Sequence, residues 1–338
     1  MIVVHSYTVA ILLCVVAMIS WGSWANTQKI AAKNWRFELY YWDVIAGIFV
    51  MALLAAFTIG SLGSEGRTFL TDLKQADTES VVYAMIGGVL WNAGNLFLVA
   101  AIAEAGLSVA FPIGGGIAWI LGIVVNYVVM LMDGKSPSDK PGMLWFGVVL
   151  IIFAIVFSGK AYQRLSKELK KTSKKGIVLS VLGGLFIAFF YGFVVKSLDG
   201  DFVSGGTGNL IPSSAIFFFS LGVIICTILF YIFIMKQLRI GDPRSIGEYF
   251  AGSAKSHLAG FLGGLIWALG MVVSFMAVGA ANPAISYALS NAAPVVAILW
   301  GIFVWKEFKG APKGTNTLLL VMFMLYIIGL VLITLSNA

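Results

Sequence analysis

The sequence predicts an all-α membrane protein whose ten transmembrane helices form two five-helix halves in inverted topology. Three observations carry this expectation. Of 338 residues, 60% are hydrophobic and only 11% are charged, with a mean hydropathy of +0.96, and a soluble fold cannot hide that much apolar surface. The charged residues cluster between apolar runs of roughly 18–25 residues, the length that crosses a ~30 Å hydrocarbon layer. A glycine–tryptophan pattern in the third run recurs in the eighth.

The apolar runs place helices over residues 7–31, 40–62, 80–103, 107–132, 143–159, 176–199, 214–236, 257–280, 283–305 and 316–336. No Lys or Arg precedes the first run, which continues past any cleavage point and reads as a retained helix rather than a signal peptide. Turn signals separate the runs: residues 135–142 hold Pro137 and Pro141, residues 160–175 are basic, and residues 200–212 are rich in Gly, Ser and Asp. No connection has room for a soluble domain. The chain therefore divides into a first repeat over 1–160, a basic linker over 161–175 and a second repeat over 176–338. Cys14 and Cys226 lie inside apolar runs, where a thiol behaves as a small buried hydrophobe.

Orientation follows from charge. Of the 22 Lys and Arg residues, 17 fall on one set of alternate loops, and only Arg67, Lys74, Lys135, Lys140 and Lys196 fall on the other. The positive-inside rule puts the richer set, with the central basic loop, in the cytoplasm and both termini outside a cell (inner) membrane. The net charge of +7 is then explained by topology and membrane lipid, and no nucleic-acid partner follows from it. Binding of lipid or a partner by the central run is a second reading.

The repeat is the most informative feature. Gly87, Gly88, Trp91 and Gly94 recur as Gly263, Gly264, Trp267 and Gly270, at a constant offset of 176. The copies lie five helices apart, and an odd number of crossings inverts the second copy, as in transporters whose substrate sits near the midplane between inverted halves. Trp21-Gly22 in the first helix and Tyr191-Gly192 in the sixth are a weaker echo.

Trp91 and Trp267 lie about ten residues into their helices, hence roughly 15 Å deep, where an interfacial anchor has no business. Two readings are open: aromatic walls of a central pocket, or space-filling between closely approaching helices. Asn92 and Asn95 face protein or a water-filled cavity, because an unpaired amide in hydrocarbon costs several kcal/mol. The fourth helix carries Pro112 and Gly114-Gly115-Gly116, and the ninth Ser290, Asn291 and Pro294, and both are expected to be interrupted there unless these residues serve packing. The candidate substrate-binding residues are Trp21, Trp91, Asn92, Asn95, Tyr191, Trp267, Tyr287 and Asn291. Asp43, near the start of the second helix, either caps that helix or carries protons. Lys196 reads as an interfacial, snorkelling lysine with substrate contact as the alternative, and Glu104 as interfacial.

An enzyme is not expected. His5 and His257 are too far apart for an H-E-x-x-H site, and neither a G-x-S-x-G motif nor a P-loop occurs. No metal or other cofactor is implied.

Several short motifs carry a family resemblance. Gly22-Ser23-Trp24, Tyr41-Trp42-Asp43, Gly94-Asn95-Leu96, Gly106-Leu107-Ser108-Val109 and Asn126-Tyr127 resemble the plant ureide permeases, and Trp21-Gly22-Ser23 resembles the first helix of bacterial glucose/ribose porters. The second half is similar through its Gly-Gly-Trp helix and residues 283–309. The chain thus resembles the drug/metabolite transporter superfamily, in the group of glucose/ribose porters, the rhamnose symporter and ureide permeases. The resemblance implies a ten-helix 5+5 fold and secondary uptake of a small polar metabolite, a sugar or a ureide- or nucleobase-like compound, coupled to protons through Asp43. It departs from the ureide permeases in its short central loop. Drug or metabolite export is the second reading, and a channel or non-transporting scaffold the third.

Overall fold

In the computed structural model, residues 1–31, 35–105, 107–165, 173–200, 206–231 and 246–337 are described. They contain ten helices long and apolar enough to cross a membrane. In chain order the elements are α1 (Tyr7–Ser23) with a 3-10 extension (Trp24–Lys29), α2 (Phe37–Phe57), α3 (Phe69–Gln75), α4 (Thr78–Ala105), α5 (Leu107–Met132), α6 (Pro141–Leu165) and α7 (Lys174–Ser197). Then follow α8 (Pro212–Leu229), α9 (Ile246–Phe250), α10 (Ala254–Ala281), α11 (Pro283–Ser290), α12 (Pro294–Leu299) with a π-helical turn (Trp300–Val304), and α13 (Thr315–Leu335).

Small residues decide which helices meet. The helix α4 packs chiefly on α7 and α8, and α10 on α1 and α2. A Cβ at Gly88 would stand 2.1 Å from the Phe219 carbonyl oxygen, and one at Gly264 2.0 Å from that of Val44, so only glycine permits these two backbones to approach. The most apolar stretch of α10 is 67% buried, against 28% in α13. α10 is therefore central, while α6 and α13 pair with each other and turn residues such as Phe146, Phe153, Leu320 and Ile327 outward, as lipid-facing helices do.

Polar contacts gather at the two ends of the bundle. At one end the Lys29–Glu307 and Lys175–Glu104 pairs form, the latter at 2.8 Å. At the other, buried Arg67 bonds Asp72 at 2.7 Å and Asp199 at 2.9 Å, tying the 58–77 segment to the start of the connection between α7 and α8. Asp72 also accepts from the Ile211 amide at 3.0 Å. Exposed Lys196 donates to Tyr83 at 2.8 Å.

Several sequence-based expectations need correction. The fourth helix is not interrupted: α5 runs as α-helix through Pro112 and the three glycines, because a proline in an early turn removes a single ladder bond and Gly114 serves close packing, a Cβ there standing 2.8 Å from the Ser180 carbonyl oxygen on α7. The ninth helix does break, over residues 291–293 between α11 and α12. The first helix is α-helical only to Ser23 and then tightens into the 3-10 extension. The second starts at Phe37 and ends at Phe57. The expected end of the seventh helix, beyond residue 231, lies outside the described residues, as does the middle of the basic linker, residues 166–172.

Candidate substrate and coupling sites

The repeat-related tryptophans meet. The Trp91 and Trp267 rings are 3.9 Å apart between centroids, Trp21 stacks on Trp267 at 6.2 Å, and Phe219 stacks on its ring at 5.8 Å. Trp21 Nε1 donates to the Trp267 carbonyl at 3.0 Å, which locks α1 to α10. Both Trp91 and Trp267 are buried. The result is an aromatic cluster drawn from four membrane-crossing helices, α1, α4, α8 and α10.

The amides divide by role. Asn92 accepts from the Tyr41 hydroxyl at 2.6 Å and donates to the Val223 carbonyl at 3.2 Å and Thr227 Oγ1 at 2.8 Å. Its hydrogen-bonding capacity is thus taken up by α2 and α8, a buried strut between helices. Asn95, one turn beyond Trp91 on the same face of α4, has a buried Nδ2 with no hydrogen-bond partner. An orphaned buried amide costs about 1–3 kcal/mol, which a water or a ligand acceptor would relieve.

Tyr191 and Tyr287 stand side by side, 5.1 Å between centroids, but bond in different directions. Tyr191 bonds Ser274 and Ser286 at 3.1 and 3.0 Å, whereas Tyr287 donates to the Ala118 carbonyl on α5 at 2.7 Å. Asn291 is not brought to the tryptophan cluster. It sits in the break after α11, donates to the Tyr287 carbonyl at 3.1 Å, and lines a cavity of about 30 Å³ with Gly115, Gly116, Trp119, Ser158 and Tyr326. That volume suits one or two waters, not a sugar.

Asp43 does not cap its helix. The N-cap position is Arg36, and the Asp43 carboxylate, buried in the second turn, accepts from the Tyr249 hydroxyl at 2.6 Å. His257 Nδ1 lies 3.0 and 3.1 Å from its two oxygens. The rings of Trp35 and Tyr249 meet the imidazole edge-on, at 4.9 and 4.7 Å. Burial and the adjacent carboxylate push the Tyr249 phenol above its ordinary range, so it stays a hydrogen-bond donor at physiological pH. His257 and Tyr249 lie more than 200 positions from Asp43, and nothing in the sequence flags either as its partner.

Ureide permease 1 of Arabidopsis thaliana is 24% identical over 100% of this chain and 99% of its own length. "Probable glucose uptake protein GlcU" of Staphylococcus aureus (strain Mu50 / ATCC 700699) is 25% identical, covering 70% of this chain and 72% of its own. A solved crystal structure, 16% identical and covering 98% of each chain, superposes with a TM-score of 0.64 and shares the fold. The protein is a multi-pass membrane transporter, not an enzyme. The ureide permease family model matches residues 40–174 and 160–336, and the chain belongs to that family.

Proposed function

We propose that the chain takes up a small polar metabolite, a ureide- or nucleobase-like compound or a sugar, together with protons, by alternating access between two inverted five-helix halves. The meeting of Trp91 and Trp267, 3.9 Å apart, carries this reading, since inverted repeats bring equivalent residues together around one midplane site. Packing supports it: α4 rests on α7 and α8 as its repeat partner α10 rests on α1 and α2. The names of the relatives, ureide permease and glucose uptake protein, supply the substrate classes. Flat aromatic faces suit a heterocycle or the apolar face of a sugar, with Asn95 offering a free amide donor beside them. Trp21, Tyr191, Tyr287 and Asn92 surround these groups, whereas Asn291 lies apart from them at its own small cavity.

Asp43 is the proton carrier of this proposal. A carboxylate held by an imidazole and a phenol at one end of the bundle, where the Lys29 and Lys175 pairs also lie, is placed to exchange protons with the cytoplasm once that end is assigned by the positive-inside rule. Uptake of radiolabelled allantoin, uracil and glucose into proteoliposomes, with and without an inward proton gradient, tests the proposal. Accumulation of at least one probe that collapses with the gradient is expected. Equal uptake of all three into protein-free liposomes would remove the reading.

A further inference from the structure

Most hydroxyls in these helices bond to their own helix. Ser180, Thr227 and Thr334 each donate to the carbonyl four residues earlier, at 2.9, 2.8 and 2.9 Å, the cheapest solution for a hydroxyl at membrane depth. Ser274, Ser286 and Ser290 do otherwise. Ser274 donates to Ser290 Oγ at 3.1 Å, Ser286 donates to the Ser274 carbonyl at 2.9 Å, and Tyr191 bonds Ser274 and Ser286 at 3.1 and 3.0 Å. The Cys14 thiol completes the cluster, 3.7 Å from Ser286 Oγ. All five side chains are fully buried, and they come from four helices, α1, α7, α10 and α11.

Two features of position matter. Ser274 lies two turns from Trp267 on the same face of α10, about 10 Å along the helix, so the hydroxyls and the aromatic cluster share one helix face. Ser286 and Ser290 sit on α11, an eight-residue half-helix that ends at the 291–293 break, and can shift without disturbing the hydrogen-bond ladder of α12.

We infer that Tyr191, Ser274, Ser286 and Ser290 form the polar subsite of the transported molecule, closed on itself here and opened when α11 moves. The hydroxyls exchange their mutual bonds for those of a ligand rich in amide or hydroxyl groups, so opening leaves no buried group unpaired. This inference rests on the carrier function proposed above. Packing alone would have been served by serines that bond to their own helices.

Cys14 is a built-in reporter. The test uses the full chain carrying Cys226→Ser, which leaves Cys14 as the sole thiol, in proteoliposomes treated with a charged methanethiosulfonate and read by intact mass. Modification of Cys14 is expected, together with a roughly fivefold higher KM in Ser274→Ala/Ser290→Ala for whichever of allantoin, uracil and glucose is taken up, the equivalent of about one hydrogen bond. An unmodified Cys14, when the control variant Ser64→Cys reacts fully at that exposed position, overturns the subsite whatever uptake shows, and so does an unchanged KM. Modified Cys14 with no uptake of any probe overturns the proposed substrate classes but supports the opening of the cluster.

Discussion

The Trp91 and Trp267 indoles sit 3.9 Å apart, centroid to centroid, although 176 positions separate them in a chain that repeats its own Gly-Gly-x-x-Trp-x-x-Gly pattern at that spacing. The contact depends on glycines one turn earlier. Gly88 and Gly264 let α4 and α10 press against α8 and α2, and each tryptophan is carried to the centre by the same local device.

Replacing Gly264 by leucine tests that device. With Val44 carbonyl oxygen 2.0 Å from the position of a Cβ, the two helices must separate, and overpacking of this kind costs about 1–3 kcal/mol or more. Thermal unfolding in detergent should show a lower midpoint for Gly264→Leu, and a smaller drop for Gly264→Ala. A parent-like midpoint for the leucine variant would mean that α2 and α10 are not in this contact.

The buried Arg67 network gives a second stability prediction. Side chains of Arg67, Asp72 and Asp199 are at most 5% exposed, so Arg67→Met strands two carboxylates, and breaking a buried pair in this way costs about 3–5 kcal/mol. Arg67→Lys, which keeps the charge but loses the fork geometry, should recover part of the loss. Detergent unfolding curves of the three proteins decide it, and indistinguishable curves would place the network at the surface.

Coupling is tested at Asp43. Asp43→Asn keeps hydrogen-bonding groups beside Tyr249 and His257 but cannot release a proton, so gradient-driven accumulation should be lost while counterflow exchange of preloaded substrate persists. The sign is set by the proton's direction: wild-type accumulation rises as the external pH falls below the internal pH. Normal accumulation by Asp43→Asn across that range would exclude Asp43 as the carrier.

Much of the fold was legible in the sequence, because run length alone marks a helix that must cross a hydrocarbon layer. The break at Asn291 was legible too, but the same kind of signal at Pro112 and Gly114-Gly115-Gly116 misled: there the α5 backbone continues, and the neighbour α7 explains Gly114. The short helices α3 and α9, with seven and five residues, are too brief to show a periodicity. At the sites, the tryptophan pair was visible through the repeat. The partners of Asp43 were not, since His257 reaches it only through the packing of α10 on α2 and Tyr249 from the short helix α9 that precedes α10, and the hydroxyl cluster is built from serines that look ordinary one at a time.

Orientation has its own check. Reporters at the C-terminus and in the central basic loop should read extracytoplasmic and cytoplasmic respectively, given 17 of 22 basic residues on the inner set of loops. The reverse pair of readings would invert the transporter and move Asp43 to the outer face.

The central claim, that repeat-related residues of the two halves build one substrate site, is tested most directly by substrate binding to purified, monodisperse Trp91→Ala and Trp267→Ala proteins. Loss of aromatic contact is worth on the order of 1–2 kcal/mol, so each variant should bind the transported probe about tenfold more weakly, with Trp→Phe losing less. If the rings merely fill space, their removal should instead leave cavities costing about 3–5 kcal/mol and lower the yield of folded protein. Well-folded variants that bind the probe as tightly as the parent would contradict the account.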